Sequence, residues 1–498
     1  MPLSRRPQPH AAQPQVQAEA LDPLISTIMP PVPAPAVGLT RQGLARYAVG
    51  DYRAAEQAFR AVAEVAGHEP MAWNNLALVL VALGELDQAA AALRRSLNLD
   101  AGQFAPWMNL ASALLRQGKA DEAEAACAAA LALDPASADA WQVAALARLS
   151  REDFTGAAEA FTRTLDLAGE SAELRLNLGA ALLRCGRFEA AAASLAAAVA
   201  LDPTSFVALE VKQACDFIVA AIDGDMARAV AAYPPGLLAT PAEADRVFKT
   251  ALLYLDWAGE RAAAGRVAQA WASRRPDNIE AIHLRDAALA HVTPRQPAEL
   301  VAKSFDDMAD DFDDRLVRRL AYQGPERLAA LIAQAAQAEG ALDVLDLGCG
   351  TGLCASFLRP YARLLSGVDL SAGMLAKAAA RGLYDHLEAA DLLTVLAQAQ
   401  GGWDLLAAAD TFPYLGDLGA VFEGAGRALR QGGLFAFSTE AADGESYRLK
   451  GNGRYAHADR YIERLADGRF EIAARTAATL RREAASPVEG GFYLLRKI

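Results

Sequence analysis

The sequence predicts a two-part molecule, an all-α repeat solenoid over residues 38–292 followed by an α/β domain over 293–498. Three observations lead there. Glycine, tryptophan and aspartate recur every 34 residues through the first part. Strand-like and helix-like stretches alternate after residue 293. The first of those strands runs into a turn with glycine at alternating positions, 348, 350 and 352.

Length and composition set the frame. A chain of 498 residues outgrows a single hydrophobic core, and 53% apolar with 22% charged residues is globular composition. The formal charge of −13 argues against a nucleic-acid partner, which needs a basic face. The five cysteines, 127, 185, 215, 349 and 354, form no CxxC or Cys/His cluster, so neither a disulfide framework nor a metal site is expected. No apolar run of about 18 residues appears, so no membrane partner is expected either. Arg5-Arg6 resembles a twin-arginine export signal, but Pro7, Gln8, Pro9 and His10 follow where an apolar stretch belongs. The expected location is cytoplasmic.

Residues 1–37 hold nine of the 23 prolines and read as a disordered tail. From residue 38 the repeat begins. Gly50, Gly84, Gly118 and Gly186 share one register, with Glu152 in the missing slot; Trp73, Trp107 and Trp141 share another. Each unit reads as two helices around a glycine turn. Small Ala55, Ala89, Ala123, Ala157 and Ala191 admit close helix approach, and larger Phe59, Leu93, Phe161 and Leu195 fill the gap to the next hairpin. The period and residue types resemble the tetratricopeptide repeat, clear over 38–205 and degenerate over 206–292, where further helices would cap the array. The resemblance implies a stacked superhelix whose concave face takes a protein or peptide partner; the tryptophans read as core residues.

The pattern breaks at 293–297, and stretches 344–347, 364–369, 386–391, 405–408 and 433–438 then read as strands of a mostly parallel sheet. Asp346 ends the first, and Gly348, Cys349, Gly350 and Thr351 make the turn. Missing side chains let backbone approach a ligand, and the following helix offers free N–H groups. Asp369 ends the second strand, where a carboxylate can accept both ribose hydroxyls of an adenosine; Asp391 ends the third and can accept from an adenine amino group. A dinucleotide-binding turn wants G-x-G-x-x-G/A, and the third position here is Leu353, which disfavours an NAD-dependent oxidoreductase.

The spacing G-x-G-x-G after Asp346 resembles motif I of the class I S-adenosylmethionine-dependent methyltransferases, over roughly 300–498. The resemblance implies a Rossmann-like fold, S-adenosyl-L-methionine as cofactor, and a transferred methyl group. It places Asp346, Gly348, Cys349, Gly350 and Thr351 at the methionine moiety, Asp369, Leu370 and Met374 at ribose and adenine, and Asp391 with Leu392 beside the adenine. Phe305 and Phe312, in the acidic stretch 304–316, resemble a segment that closes over the cofactor; an amphipathic helix start is the competing reading. Stretches 475–483 and 491–497, separated by 486–491, resemble the antiparallel strands that end this fold. In the loop 409–416, Asp410 is taken as a further cofactor neighbour and Tyr414 as a residue packed near the ligand, with a catalytic role as the competing reading. His457 is the best candidate base, against a structural histidine at a helix start. The methyl acceptor is unknown, a small molecule or a bound protein. A scaffold with a non-catalytic ligand-binding domain is the alternative from another class.

Overall fold

The computed structural model describes residues 36–314, 316, 322–335, 340–483 and 486–498. The expected tail 1–37 lies outside the described residues except for its last two, and Val37 already opens a helix. The chain divides into two compact units between Pro235 and Gly236.

Five helical hairpins open the first unit. They are α1 (Val37–Ala48) with α2 (Tyr52–Val65), α3 (Pro70–Ala82) with α4 (Leu86–Leu99), α5 (Phe104–Arg116) with α6 (Ala120–Leu133), α7 (Ala138–Ser150) with α8 (Phe154–Ala168), and α9 (Ala172–Arg184) with α10 (Phe188–Leu201). A shorter pair, α11 (Phe206–Ile222) and α12 (Met226–Ala231), follows. The turn positions Gly50, Gly84, Gly118 and Gly186 have φ of 76°, 77°, 75° and 75°, a left-handed conformation that side chains resist. Glu152 adopts φ 60° in the same slot. Stacking of the array therefore imposes this turn even on a residue that is strained by about 1 kcal/mol there. All five register alanines are fully buried, as are Leu93, Phe161 and Leu195. Trp73, Trp107 and Trp141 each donate an indole N–H to a carbonyl in the loop before their own helix, Gly67, Ala101 and Pro135, at 2.8, 2.9 and 3.0 Å. The tryptophans thus fasten each loop to the helix that follows it and are half-buried rather than the core residues expected.

The second unit opens with α13 (Pro241–Trp257), α14 (Arg261–Arg274) and α15 (Ile279–Ala288). The degenerate stretch 206–292 is therefore divided: α11 and α12 continue the array, whereas α13–α15 belong to the unit that holds the sheet. The reason is a small core in which Ala287 of α15 packs with Leu449 and Tyr455, a contact between distant parts of the sequence. Then follow α16 (Ala298–Met308), α17 (Gly324–Ala335), β1 (Leu342–Leu347), α18 (Ala355–Leu358), β2 (Ala362–Asp369), α19 (Ala372–Ala380), β3 (His386–Ala389), α20 (Leu392–Gln398) and β4 (Trp403–Ala408). The chain ends with α21 (Gly419–Ala428), β5 (Leu429–Ala441), β6 (Tyr447–Leu449), β7 (Tyr455–His457), α22 (Asp459–Ala466), β8 (Phe470–Glu483) and β9 (Ser486–Lys497).

The strands form one sheet in which β3, β2, β1, β4 and β5 are parallel neighbours in that order. β9 lies antiparallel against β5, and β8 antiparallel against β9. Val344 points into one apolar layer with Leu405 and Leu434, while Leu345 and Leu347 point into the other with Phe435 and Phe437. Both faces are covered, which explains the continuous apolar runs of these strands. Strand order reverses at β1 and β4, and in such sheets the ligand crevice lies outside the carboxyl ends of the strands at that point.

One expectation about the strands is corrected. The stretch 486–491, expected as a loop, is the first half of β9: Gly490 and Gly491 pair with Glu440 and Thr439. A Cβ on Gly490 would meet the Leu480 side chain at 2.4 Å, so that glycine serves close packing rather than a turn. The short strands β6 and β7 were not anticipated; β7 adds to the end of β5 at Glu440 and Ala441.

Candidate active site

The crevice is built by the carboxyl ends of β1, β2, β3 and β4. After Leu347 the backbone takes left-handed φ at Gly348, Gly350 and Gly352, of 72°, 54° and 83°. Neighbours explain two of these glycines without any ligand. A Cβ on Gly348 would strike the Thr411 side chain at 2.6 Å, and one on Gly352 would approach the Tyr384 ring at 3.0 Å. Gly350 differs: a Cβ there meets nothing within 4 Å. Its peptide therefore borders open space, and its N–H is fixed by donating to Asp369 Oδ2 at 2.9 Å.

Asp369 is half-buried at the end of β2 and accepts a second N–H, from Ser371, on Oδ1 at 2.9 Å. Burial raises its carboxyl, and the N–H groups of Ser371 and Gly350 work in the opposite direction. Both oxygens accept from backbone N–H groups, and the lone pairs left on a carboxylate can take ligand hydroxyls. Asp346 is buried to 1% exposure, and its Oδ2 accepts the Tyr384 hydroxyl at 2.7 Å. Burial pushes this carboxyl up to about 7 against the pull of Tyr384. Cys349 and Cys354 are buried, and burial raises both thiols far above their ordinary value. They are inert packing residues at neutral pH.

Residues 304–314 of the acidic stretch lie across this turn. Asp306 accepts from Ser371 Oγ at 2.6 Å and from Gly373 N–H at 2.9 Å, at the first turn of α19. Lys377 pairs with Asp310 at 2.9 Å. Thr351 Oγ1 donates to Asp313, and Arg381 pairs with the same carboxylate. Phe305 contacts the rings of Phe312 and Tyr414, with centroids 5.8 and 5.2 Å apart. The stretch is thus fastened to the turns after β1 and β2 by its acids, while Phe305 faces Tyr414.

The remaining expected residues fall out as follows. Asp391 caps α20 through Leu393 N–H at 2.9 Å and pairs with Arg295 at 2.6 Å, so an adenine amino group would share an already engaged carboxylate. Leu392 starts α20 and Leu370 follows Asp369, both half-buried. Met374 is fully buried in the first turn of α19, its N–H taken by Ser371 Oγ at 3.0 Å. Asp410 has φ 53°, a left-handed conformation rare outside glycine, and holds Arg481 through both oxygens at 2.9 Å. Arg481, 1% exposed, also donates to Glu440, which Lys450 approaches at 2.8 Å. Burial alone would raise the Glu440 carboxyl; Arg481, Arg454 and Lys450 hold it below its ordinary value.

His457 is buried at the end of β7, its Nε2–H directed at the Gly416 carbonyl at 3.0 Å and its ring stacked on Tyr461. Burial pushes it down to about 4, so it stays neutral and enclosed. The geometry supports the structural reading of His457, not the base. Tyr414 is half-buried, and burial raises its hydroxyl; its ring carries the Arg454 guanidinium at 6.0 Å and contacts Phe305. Packing near the ligand is the role this placement supports.

With the geometry in hand, the chain can be set beside known proteins. Residues 344–433 match the family described as a methyltransferase domain. Residues 40–106, 104–149 and 143–206 match tetratricopeptide repeat families. The chain joins tetratricopeptide repeats to a methyltransferase domain. The biotin biosynthesis bifunctional protein BioHC of Saccharophagus degradans is 32% identical over 154 residues, covering 30% of this chain and 26% of that protein. A malonyl-[acyl-carrier protein] O-methyltransferase of Acetivibrio thermocellus is 35% identical over 101 residues, 20% of this chain and 35% of that one. Human methyltransferase-like protein 27 is 43% identical over 86 residues, 17% and 34%. The chain thus spans 35% or less of the length of these relatives. Among solved structures, MamA from Desulfovibrio magneticus aligns with TM-score 0.34 and 20% identity over 35% of this chain and 99% of that one.

The methyltransferase domain also uses residues that the sequence did not single out. Tyr384 holds Asp346, Thr411 buttresses Gly348 and donates to the Leu347 carbonyl at 2.8 Å, and Ser371, Asp306 and Asp313 tie the acidic stretch to the turns after β1 and β2. Ser371 carried a legible signal, an N-cap serine at a helix start. Tyr384 carried none, since it reaches Asp346 from a loop. Among the described residues no group of His, Cys, Asp and Glu forms a metal site. No described helix is long and apolar enough to cross a membrane.

Proposed function

We propose that the chain is an S-adenosyl-L-methionine-dependent methyltransferase whose repeat array recruits the substrate or a protein partner. The observation that carries this reading is Asp369: a half-buried carboxylate oriented by backbone N–H groups, with acceptor capacity left for ribose hydroxyls, beside the open face of Gly350. Asp346, Cys349 and Thr351 would border the methionine moiety, and Leu392 with Asp391 the adenine. When bound, this cofactor supplies a methyl group activated on a sulfonium. The chain's own part is to bind, to align the acceptor and to exclude water, from which most of the acceleration comes. Asp306 and Asp313 hold the lid segment down, and Phe305 and Phe312 provide apolar cover.

A carboxylate borne by a carrier protein is the acceptor class to test first. Relatives carry the name malonyl-[acyl-carrier protein] O-methyltransferase. Neither His457 nor Tyr414 is placed to take a proton, and a carboxylate is ionised at neutral pH and needs no base. The test incubates the full chain with methyl-labelled S-adenosylmethionine, with cell extract in one arm and malonyl-acyl carrier protein in the other. Label in an acceptor supports the reading, and label that alkali releases identifies an ester. No label in any acceptor, with the cofactor bound, leaves the non-catalytic scaffold as the better reading.

A further inference from the structure

Glycine at 453 is required twice over. Its φ is +81°, and a Cβ would meet the His283 ring at 3.2 Å and Leu284 at 3.1 Å. The turn between β6 and β7 is thus fitted against α15, and buried His283 closes the fit by directing Nε2–H at the Gly453 carbonyl, 2.8 Å away. Two neighbouring contacts repeat the fit. Thr293 Oγ1 and Tyr455 OH are 2.6 Å apart, and a Cβ on Gly451 would strike Asp256 of α13 at 2.0 Å. The residue after Gly453 is Arg454, which lies 3.6 Å from Glu440 and over the ring of Tyr414. Lys450, at the other end of the same turn, holds Glu440, and Tyr414 contacts Phe305 of the lid segment.

We infer that α13–α15 form the outer support of the wall that carries Tyr414, taken as the acceptor side because the residues proposed for the cofactor lie on β1, β2 and the turns after them, with His283 as the positioning residue that fixes the β6–β7 turn and, through it, Arg454 and Tyr414. The inference rests on the methyltransferase reading for its functional consequence alone. The residues proposed for the cofactor, Asp346, Gly350 and Asp369, lie on β1, β2 and the turns after them rather than on the β6–β7 turn. Helices α13–α15, which belong to the unit that holds the sheet, thereby support this wall through the β6–β7 turn.

The experiment compares wild type, His283→Ala and His283→Gln in the full chain. Gln places an amide N–H where the imidazole Nε2–H lies. Three readouts are taken: amide exchange of peptides covering 447–457, calorimetric affinity for S-adenosylhomocysteine, and labelled-methyl transfer to cell extract at saturating cofactor. In His283→Ala, exchange over 447–457 is expected to rise about tenfold, the loss of one buried hydrogen bond, and transfer to fall at least as far. Affinity for S-adenosylhomocysteine should stay within about twofold. His283→Gln should restore both changed readouts. Unchanged exchange over 447–457 in His283→Ala overturns the inference, as does a cofactor affinity that falls in step with transfer. Should wild type transfer no label, the methyltransferase reading has failed, while the exchange data still decide the role of His283; should His283→Ala not fold, Gly453→Ala, which pushes the same turn off the His283 ring, is read in the same three assays.

Discussion

Asp346→Asn is expected to stabilise the cofactor-free methyltransferase domain at high pH while weakening cofactor binding. Asp346 is a carboxylate with 1% exposure whose protein partner is one tyrosine hydroxyl at 2.7 Å, and burial pushes it from 3.8 up to about 7. A folded-state value above the unfolded one means that the folded chain holds the proton more tightly. The stabilisation is complete below 3.8 and is lost as pH rises to about 7. Over that whole interval the loss is about 4 kcal/mol, at about 1.4 kcal/mol per pH unit. Asparagine keeps the shape and can accept from Tyr384, yet carries no charge. The assay is amide exchange in β1, mutant against wild type at equal pH, so that intrinsic exchange rates cancel. The ratio of protection, mutant over wild type, should grow about a hundredfold between about pH 5 and about pH 8. A ratio that does not change with pH refutes the reasoning, because Asp346 would then be ionised in the folded chain without penalty.

Asp369→Ala should weaken S-adenosylmethionine by about 1–3 kcal/mol, the loss of charge-assisted hydrogen bonds, with circular dichroism unchanged; equal affinity by calorimetry removes Asp369 from the pocket. Gly350→Ala places a methyl in the open space and strains a φ of 54°, so stability should fall by about 1 kcal/mol but cofactor affinity by more than about tenfold. Equal losses in urea unfolding and in titration contradict the close approach at Gly350. Arg481→Met leaves Asp410 and Glu440 without their shared cation and should cost about 3–5 kcal/mol, seen as early melting of the second unit in calorimetric scans.

Much of this architecture was legible because it repeats or alternates. The register alanines, the turn glycines and the runs of β1, β2, β4 and β5 each report a local requirement, so their elements followed from spacing alone. Glu152 shows the limit: the register identified the turn, but that glutamate would take a left-handed φ follows from stacking. The division of 206–292 between two units was not legible, because Ala287 meets Leu449 and Tyr455 across a long stretch of chain. The same holds for the site. Asp346, Asp369 and the glycines announce themselves by following strands, whereas Tyr384, Thr411 and Arg481 act through contacts that no spacing encodes. The candidate base His457 failed for the same reason, since burial between Tyr461 and Gly416 is a tertiary fact.

The central claim is that the turn after β1 and the carboxylate after β2 are shaped for an adenosyl sulfonium. Isothermal titration of the full chain with S-adenosylmethionine, with NAD titrated in parallel, tests it directly. The account predicts saturable one-site binding of S-adenosylmethionine, lost in Asp369→Ala, and no heat from NAD. Binding of NAD instead, or no binding of S-adenosylmethionine by folded protein at about millimolar concentration, contradicts it.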